Sequence, residues 1–182
     1  MTTALLSRPA RQRGVSLIEA ATVLAVIAVV AGTAAPSLQA VIDARRLDAA
    51  AAQLATDIRF TRTEAVARNE ALRLSVRPVA GGTCYLVHTG AVDACTCPST
   101  GPAVCSGDAR ALRTVVLPGG ERVSLQANVG SILFDPVHGT STPTGTLRLI
   151  GTRERAIHHI VNVMGRVRSC SPAGAVPGYR AC

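Results

Sequence analysis

Three groups of residues stand where they could do chemistry. The first is Glu19, a single carboxylate five residues into an apolar run from Val15 to Ala35. A carboxylate at that depth in lipid costs on the order of 3 kcal/mol, so such residues usually serve a function. An ammonium that meets it in lipid offsets the desolvation of both groups. The second group is Gly165-Arg166-Val167-Arg168. Gly165 permits a tight turn. With 166–168 extended, the two Arg project to one side about 6.6 Å apart, close to the phosphate repeat of a nucleic-acid strand. Arg153, Arg155 and Arg180 are candidates to extend that patch. The third group is the six cysteines: Cys84, Cys95, Cys97, Cys105, Cys170 and Cys182. An even count in a small, exported, aromatic-poor domain favours disulfides. A Cys170–Cys182 bridge would tie down the terminal loop and lower the cost of ordering the Arg side chains. The remaining connectivity is open.

Other clusters carry less. Cys95-Thr96-Cys97 with Cys105 could be read as a metal site, but zinc sites more often use C-x₂-C pairs, so disulfides are preferred and no metal is expected. His158 and His159 point to opposite faces of a strand, one exposed and one semi-buried. His88 and His138 fall in or near turns. No nucleophile–base pair, carboxylate pair or phosphate-cradling Gly loop stands out, so neither catalysis nor a cofactor is expected. The net charge is +8, and all nineteen basic residues are Arg. Every cation is therefore a planar guanidinium suited to bidentate phosphate contacts. Trp is absent and there are two Phe and two Tyr, so no aromatic platform for stacking single strands is evident. Any nucleic-acid binding should be sequence-independent and salt-sensitive.

These groups need elements to position them. Residues 1–14 are short and basic, and residues 15–35 are long enough as a helix to span roughly 30 Å of hydrocarbon. The basic leader should stay cytoplasmic and the rest should face outward. A secretory signal would need a small-residue cleavage site after its apolar run, and Ala34-Ala35-Pro36 is a poor one. A plain membrane anchor would leave Glu19 unexplained. Residues 36–69 continue as an amphipathic helix. Leu38, Val41, Ile42, Leu47, Ala51, Leu54, Ile58, Ala65 and Val66 recur at helical spacing, and charged residues including Asp43, Asp57, Arg59 and Arg62 fill the other faces. From Leu72 the period falls to two. Strands are expected at 72–76, 84–89, 112–117, 122–128, 131–134, 146–150 and 156–163, with a Cys-, Gly- and Pro-containing loop at 90–111. The fold class is α+β, one long N-terminal helix packed on a mostly antiparallel sheet, with a β-rich domain over 70–182.

Gly14-Val15-Ser16-Leu17-Ile18-Glu19 resembles the prepilin peptidase motif of type IV pilins and type II secretion pseudopilins. The resemblance implies cleavage between Gly14 and Val15 and N-methylation of Val15. It also implies pairing of Glu19 with the N-terminal amine of a neighbouring subunit. The leader's removal takes Arg8, Arg11 and Arg13 and leaves sixteen Arg against eleven acids, a net +5. The family usually begins its mature chain with Phe, and Val15 departs from that. Residues 57–76, 134–140 and 145–149 resemble the GspH/FimT group of minor pilins and pseudopilins; the 90–111 loop does not align with it. Gly165–Arg168 resembles the GRxR motif of FimT-like minor pilins that bind DNA in natural transformation. Together these imply a pilin-like minor subunit that supports pilus assembly and binds double-stranded DNA. Its other partners would be pilin or pseudopilin subunits, the prepilin peptidase and the bacterial inner membrane, crossed once with the C-terminal domain in the periplasm. The alternative is a GspH-like minor pseudopilin of a type II secretion system. A third reading is an adhesive subunit whose Arg patch meets acidic surfaces. Against any ligand stands the fact that two Arg around one Val are often just the solvated face of a strand.

Overall fold

The computed structural model describes residues 16–98 and 101–182. Gly14 and Val15, where cleavage and methylation are expected, lie outside the described residues. The chain divides into two units, one ending at Ala40 and one spanning Val41–Cys182.

A single helix, α1, runs Leu17–Arg68. Its start is capped: the Glu19 backbone N–H donates to Ser16 Oγ at 3.3 Å. The Glu19 carboxylate lies in the first turn, where the helix dipole favours negative charge. Its apolar first part holds an 18-residue window of mean hydropathy 2.2, long and apolar enough to cross a membrane. The helix stops in a Schellman arrangement. Asn69 takes a left-handed φ of 50°, its N–H reaches Val66 O, and the Glu70 N–H reaches Ala65 O.

In the second unit, Leu47, Ala51, Leu54, Ile58 and Ala65 of α1 form one buried stripe. Three sheets follow, all antiparallel in their strand pairing. The strands are β1 (Leu72–Val79), β2 (Gly82–His88), β3 (Cys95–Thr96), β4 (Val104–Cys105), β5 (Ala111–Pro118), β6 (Ser124–Ala127), β7 (Ser131–Phe134), β8 (Ser141–Thr142), β9 (Gly145–Ile150), β10 (Ala156–Val161) and β11 (Val167–Cys170). The largest sheet has the order β5-β2-β1-β7-β8, the second β11-β10-β9-β6, and β3 pairs with β4 alone. Leu72, Leu74, Phe134, Leu147, Leu149 and Ile157 close over the helix stripe as one core. Among the described residues, the buried core members all lie between Leu47 and Val176, so Val41–Cys182 carries a complete core.

Several expectations need correction. Leu38, Val41, Ile42 and Val66 are apolar at helical spacing yet exposed. Asp57, expected on a solvated face, is fully buried. Its carboxylate accepts from Tyr85 O–H at 2.7 Å, from Gln53 Nε2 and from Arg113, whose guanidinium lies 4.7 Å from the Phe60 ring centre. A buried carboxylate survives only when its lone pairs are met in this way. Burial and this carboxylate together push the Tyr85 phenol well above its usual range. Asp43 is also nearly buried, with Arg122 and Thr152 within 3.3 Å.

His88 lies within the expected 84–89 strand and next to the bend at 89–90, but it is not a solvated turn residue. It ends β2, fully buried, with Nε2 2.9 Å from Ser75 Oγ and Nδ1 2.8 Å from the Thr89 carbonyl. His159 is buried rather than semi-buried, and burial is the main cause that lowers its pKa to about 4. The cysteines pair as Cys84–Cys97, Cys95–Cys105 and Cys170–Cys182. The first two bridges staple the paired strands β3 and β4 together and fix them to β2.

Candidate nucleic-acid interface

The Arg166–Arg168 segment enters from a turn that the sequence shapes closely. Residues 162–165 link β10 to β11. The Gly165 N–H donates to Asn162 O at 2.8 Å, with Gly165 at φ +67°. Asn162 closes the far side, since its Oδ1 accepts from the Arg166 N–H at 3.0 Å and its own N–H reaches Arg166 O at 3.1 Å. Ser141 of β8 docks the turn from below. Its N–H donates to Val163 O at 2.9 Å and its hydroxyl to Asn162 O at 2.6 Å.

Arg62 of α1 fixes the neighbouring 135–140 loop by donating Nε–H to Gly139 O at 2.9 Å. Gly165 packs so tightly there that a Cβ would press into that same Gly139 oxygen and lie 2.9 Å from Arg62 Cδ. Glycine is needed at 165 for both its φ and the space.

Beyond the turn, β11 alternates. Val167 is half-buried against the core and pairs with Val161, while Arg166 and Arg168 are exposed. Arg168 lies opposite Ile160. β11 ends its sheet's strand order, so Arg168 sits on a short edge strand and Arg166 immediately precedes it. Short, charged edges are a common guard against strand-to-strand association, and this one fits that plain purpose as well.

Arg166 is shared by two adjoining surface depressions. One is lined by Ile160, Asn162, Arg166, Val167 and Arg168. The other is lined by Arg59, Arg62, Thr63, Gly165, Arg166 and Val167. Neither lining contains a carboxylate. The cations brought together are therefore Arg59, Arg62, Arg166 and Arg168.

Arg153 and Arg155 are not among them. They occupy the β9–β10 turn, where the Gly151 N–H reaches Arg155 O, at the opposite end of β10 from residue 162. Arg180 is exposed beside Ser171, whose N–H reaches its carbonyl at 2.9 Å, about 10 Å beyond Arg168 along the strand direction. The Cys170–Cys182 bridge and the buried Val176 hold the tail that carries it. In the sequence Arg59 and Arg62 stand only among the charged residues of the helix faces. Their signal was an i, i+3 pair beside Thr63, which places both on one side of the helix.

His159 links the sheet to the helix under this surface. Its Nε2 lies 2.9 Å from the Ala51 carbonyl and its Nδ1 2.8 Å from Ser169 Oγ. The nearby Arg59 adds to burial in disfavouring its charged form. The neutral ring therefore donates to Ala51 and accepts from the Ser169 hydroxyl.

Residues 50–165 match the family model described as the type II transport protein GspH, and residues 9–35 match the prokaryotic N-terminal methylation motif. No curated protein matches. Two crystal structures of the type IV minor pilin FimU from Pseudomonas aeruginosa (strain PAO1) share the fold. One covers 73% of this chain and 98% of its own at 15% identity and a TM-score of 0.50. The other covers 74% and 95% at 15% identity and a TM-score of 0.51.

Proposed function

The chain belongs to the GspH family, and from that premise we propose that it is a minor pilin whose Arg surface binds the backbone of double-stranded DNA. Its precursor is cut between Gly14 and Val15, Val15 is methylated, and residues 15–35 hold it in the inner membrane with the β-rich 70–182 domain in the periplasm. Glu19 then meets the N-terminal amine of a neighbouring subunit as the filament forms. The methylation motif at 9–35 and the apolar first part of α1 support this course. An exposed carboxylate in the first helical turn, with no partner for it among the described residues, is what an intersubunit pairing needs.

One observation carries the DNA reading. Arg166 and Arg168 are exposed at the start of an edge strand, Arg59 and Arg62 of α1 line the adjoining surface, and among the described residues no acid lines it. Four guanidiniums so placed present a ladder for phosphates. The test is a mobility shift with the full chain in detergent micelles, compared with Arg166→Gln/Arg168→Gln. The slope of log K against log salt should fall by about two in the double variant, close to one unit for each phosphate that an arginine no longer neutralises. Equal affinity for DNA would remove these arginines from the reading.

The GspH family description favours a second reading, a minor pseudopilin that acts on secreted proteins in a type II secretion system. Deleting the gene separates the two: a loss of piliation and DNA uptake supports the first, and a loss of exoprotein secretion alone supports the second.

A further inference from the structure

The turn ahead of the arginines has an apolar tip. Val163 is 56% exposed and Met164 50% exposed. Relaxed loops usually fold such side chains inward, but this turn cannot relax. Five hydrogen bonds fix it, among Asn162, Gly165 and Arg166 and from Ser141 of β8. The patch is small, but a partner that covered it would gain the burial of two apolar side chains already held in place.

What covers it must also meet cations. Arg166 and Arg168 follow the tip directly in the chain, and Arg59 and Arg62 line the depression that Gly165 shares. A protein pocket would need both an apolar hollow and acids in register. Duplex DNA supplies both needs by itself: phosphates lie on either side of every base step, and an apolar wedge of Met, Leu or Ile can enter between bases and kink the helix.

Resting on the DNA reading above, we infer that Met164, backed by Val163, is a wedge that enters a base step of duplex DNA while the arginines hold the flanking phosphates. The turn's bracing keeps the wedge ordered before binding, so little entropy is lost on insertion. Steps that unstack easily, TA and CA/TG, are the preferred sites, which gives a mild sequence preference without any base-edge hydrogen bond.

The experiment uses the full chain in detergent micelles and short duplexes carrying 2-aminopurine beside a TA step. Its fluorescence rises when the base unstacks. The unaltered chain should raise it on binding, Met164→Leu should keep the rise, and Met164→Ser with Val163→Ser should abolish it. That pair should weaken binding about fivefold while leaving the salt slope unchanged. Both residues are half-exposed, and near-native thermal unfolding will show that the variants fold. Binding without any rise in fluorescence overturns the wedge and leaves the arginine–phosphate pairing standing. A rise that persists in Met164→Ser/Val163→Ser also overturns it. Absence of any DNA binding by the unaltered chain overturns the wedge and the DNA reading together. Loss of pilin co-assembly in the variants, with fluorescence unchanged, gives the tip to a neighbouring subunit and overturns the proposal.

Discussion

Replacing Gly165 with Ala should damage this surface by an amount that follows from its geometry. Gly165 sits at φ +67°, and an L-residue there costs about 1 kcal/mol. The new Cβ also has no room, because it would meet the Gly139 oxygen and lie 2.9 Å from Arg62 Cδ. The Gly139 oxygen cannot easily retreat. It accepts from Arg62, and the Gly139 N–H is bound to Asp135 O at 3.0 Å. Relief therefore means shifting the turn and losing one or two hydrogen bonds, each about 1 kcal/mol net. The total is about 2–3 kcal/mol.

Gly174 supplies the control. Its φ is +66°, but nothing lies within 4 Å of its would-be Cβ, so Gly174→Ala should cost only the conformational part, about 1 kcal/mol. Urea unfolding of Val41–Cys182 with disulfides intact, followed by circular dichroism, measures both. A further expectation is that Gly165→Ala weakens DNA binding under conditions where it stays folded and Gly174→Ala does not. Equal destabilisation by the two substitutions would refute the packing argument, since their backbone strain is matched.

Two other perturbations probe the frame beneath the site. His159 has its pKa lowered from 6.5 to about 4 in the folded chain. The unfolded chain therefore takes the proton first. The stability due to neutral His159 is full above about pH 6.5 and is lost as pH falls toward 4, for a total of about 3 kcal/mol. Urea midpoints at pH 7, 5 and 4 should show this slope, and His159→Gln should flatten it. The Cys170–Cys182 bridge closes a short loop with a sequence separation of 12. Cys170→Ser/Cys182→Ser should cost about 3 kcal/mol in the same urea assay and open residues 171–182 to protease.

The elements that could be read from the sequence are those whose pattern is local. Alternation at Leu72 and Leu74 marked β1, and the expected strand at 131–134 coincides with β7. What escaped depends on partners distant in the chain. Asp57 looks solvated until β2 and β5 bring Tyr85 and Arg113 to it across 28 and 56 residues. His159 looks half-exposed until α1 covers it with the Ala51 carbonyl. Arg59 and Arg62 join Arg166 only because the 162–165 turn folds back onto the helix, more than a hundred residues from them in sequence. The pairings Cys84–Cys97 and Cys95–Cys105 depend in the same way on where β2 lies relative to β3 and β4.

The apolar positions that fail to enter the core are informative in a different way. Leu38, Val41 and Ile42 keep the helical period of Leu47, Ala51 and Leu54, yet they are exposed, as are Leu17, Ile18, Val23 and Leu24. Selection for a core cannot account for apolar residues the core does not touch. An isolated subunit would expose that face to water at a cost of about 25 cal/mol for each Å². The sequence therefore records two burials, one made when the chain folds and one made by lipid or by other subunits. Under the filament reading proposed above, neighbouring subunits would cover the part of this face that lies beyond the apolar span. On this argument Ile42→Asp, at a position outside the folded core, should leave the urea midpoint of Val41–Cys182 within about 0.5 kcal/mol of the unaltered chain. The same substitution should reduce co-purification with other pilin subunits. A large loss of stability with assembly intact would mean that the exposed face belongs to the fold after all.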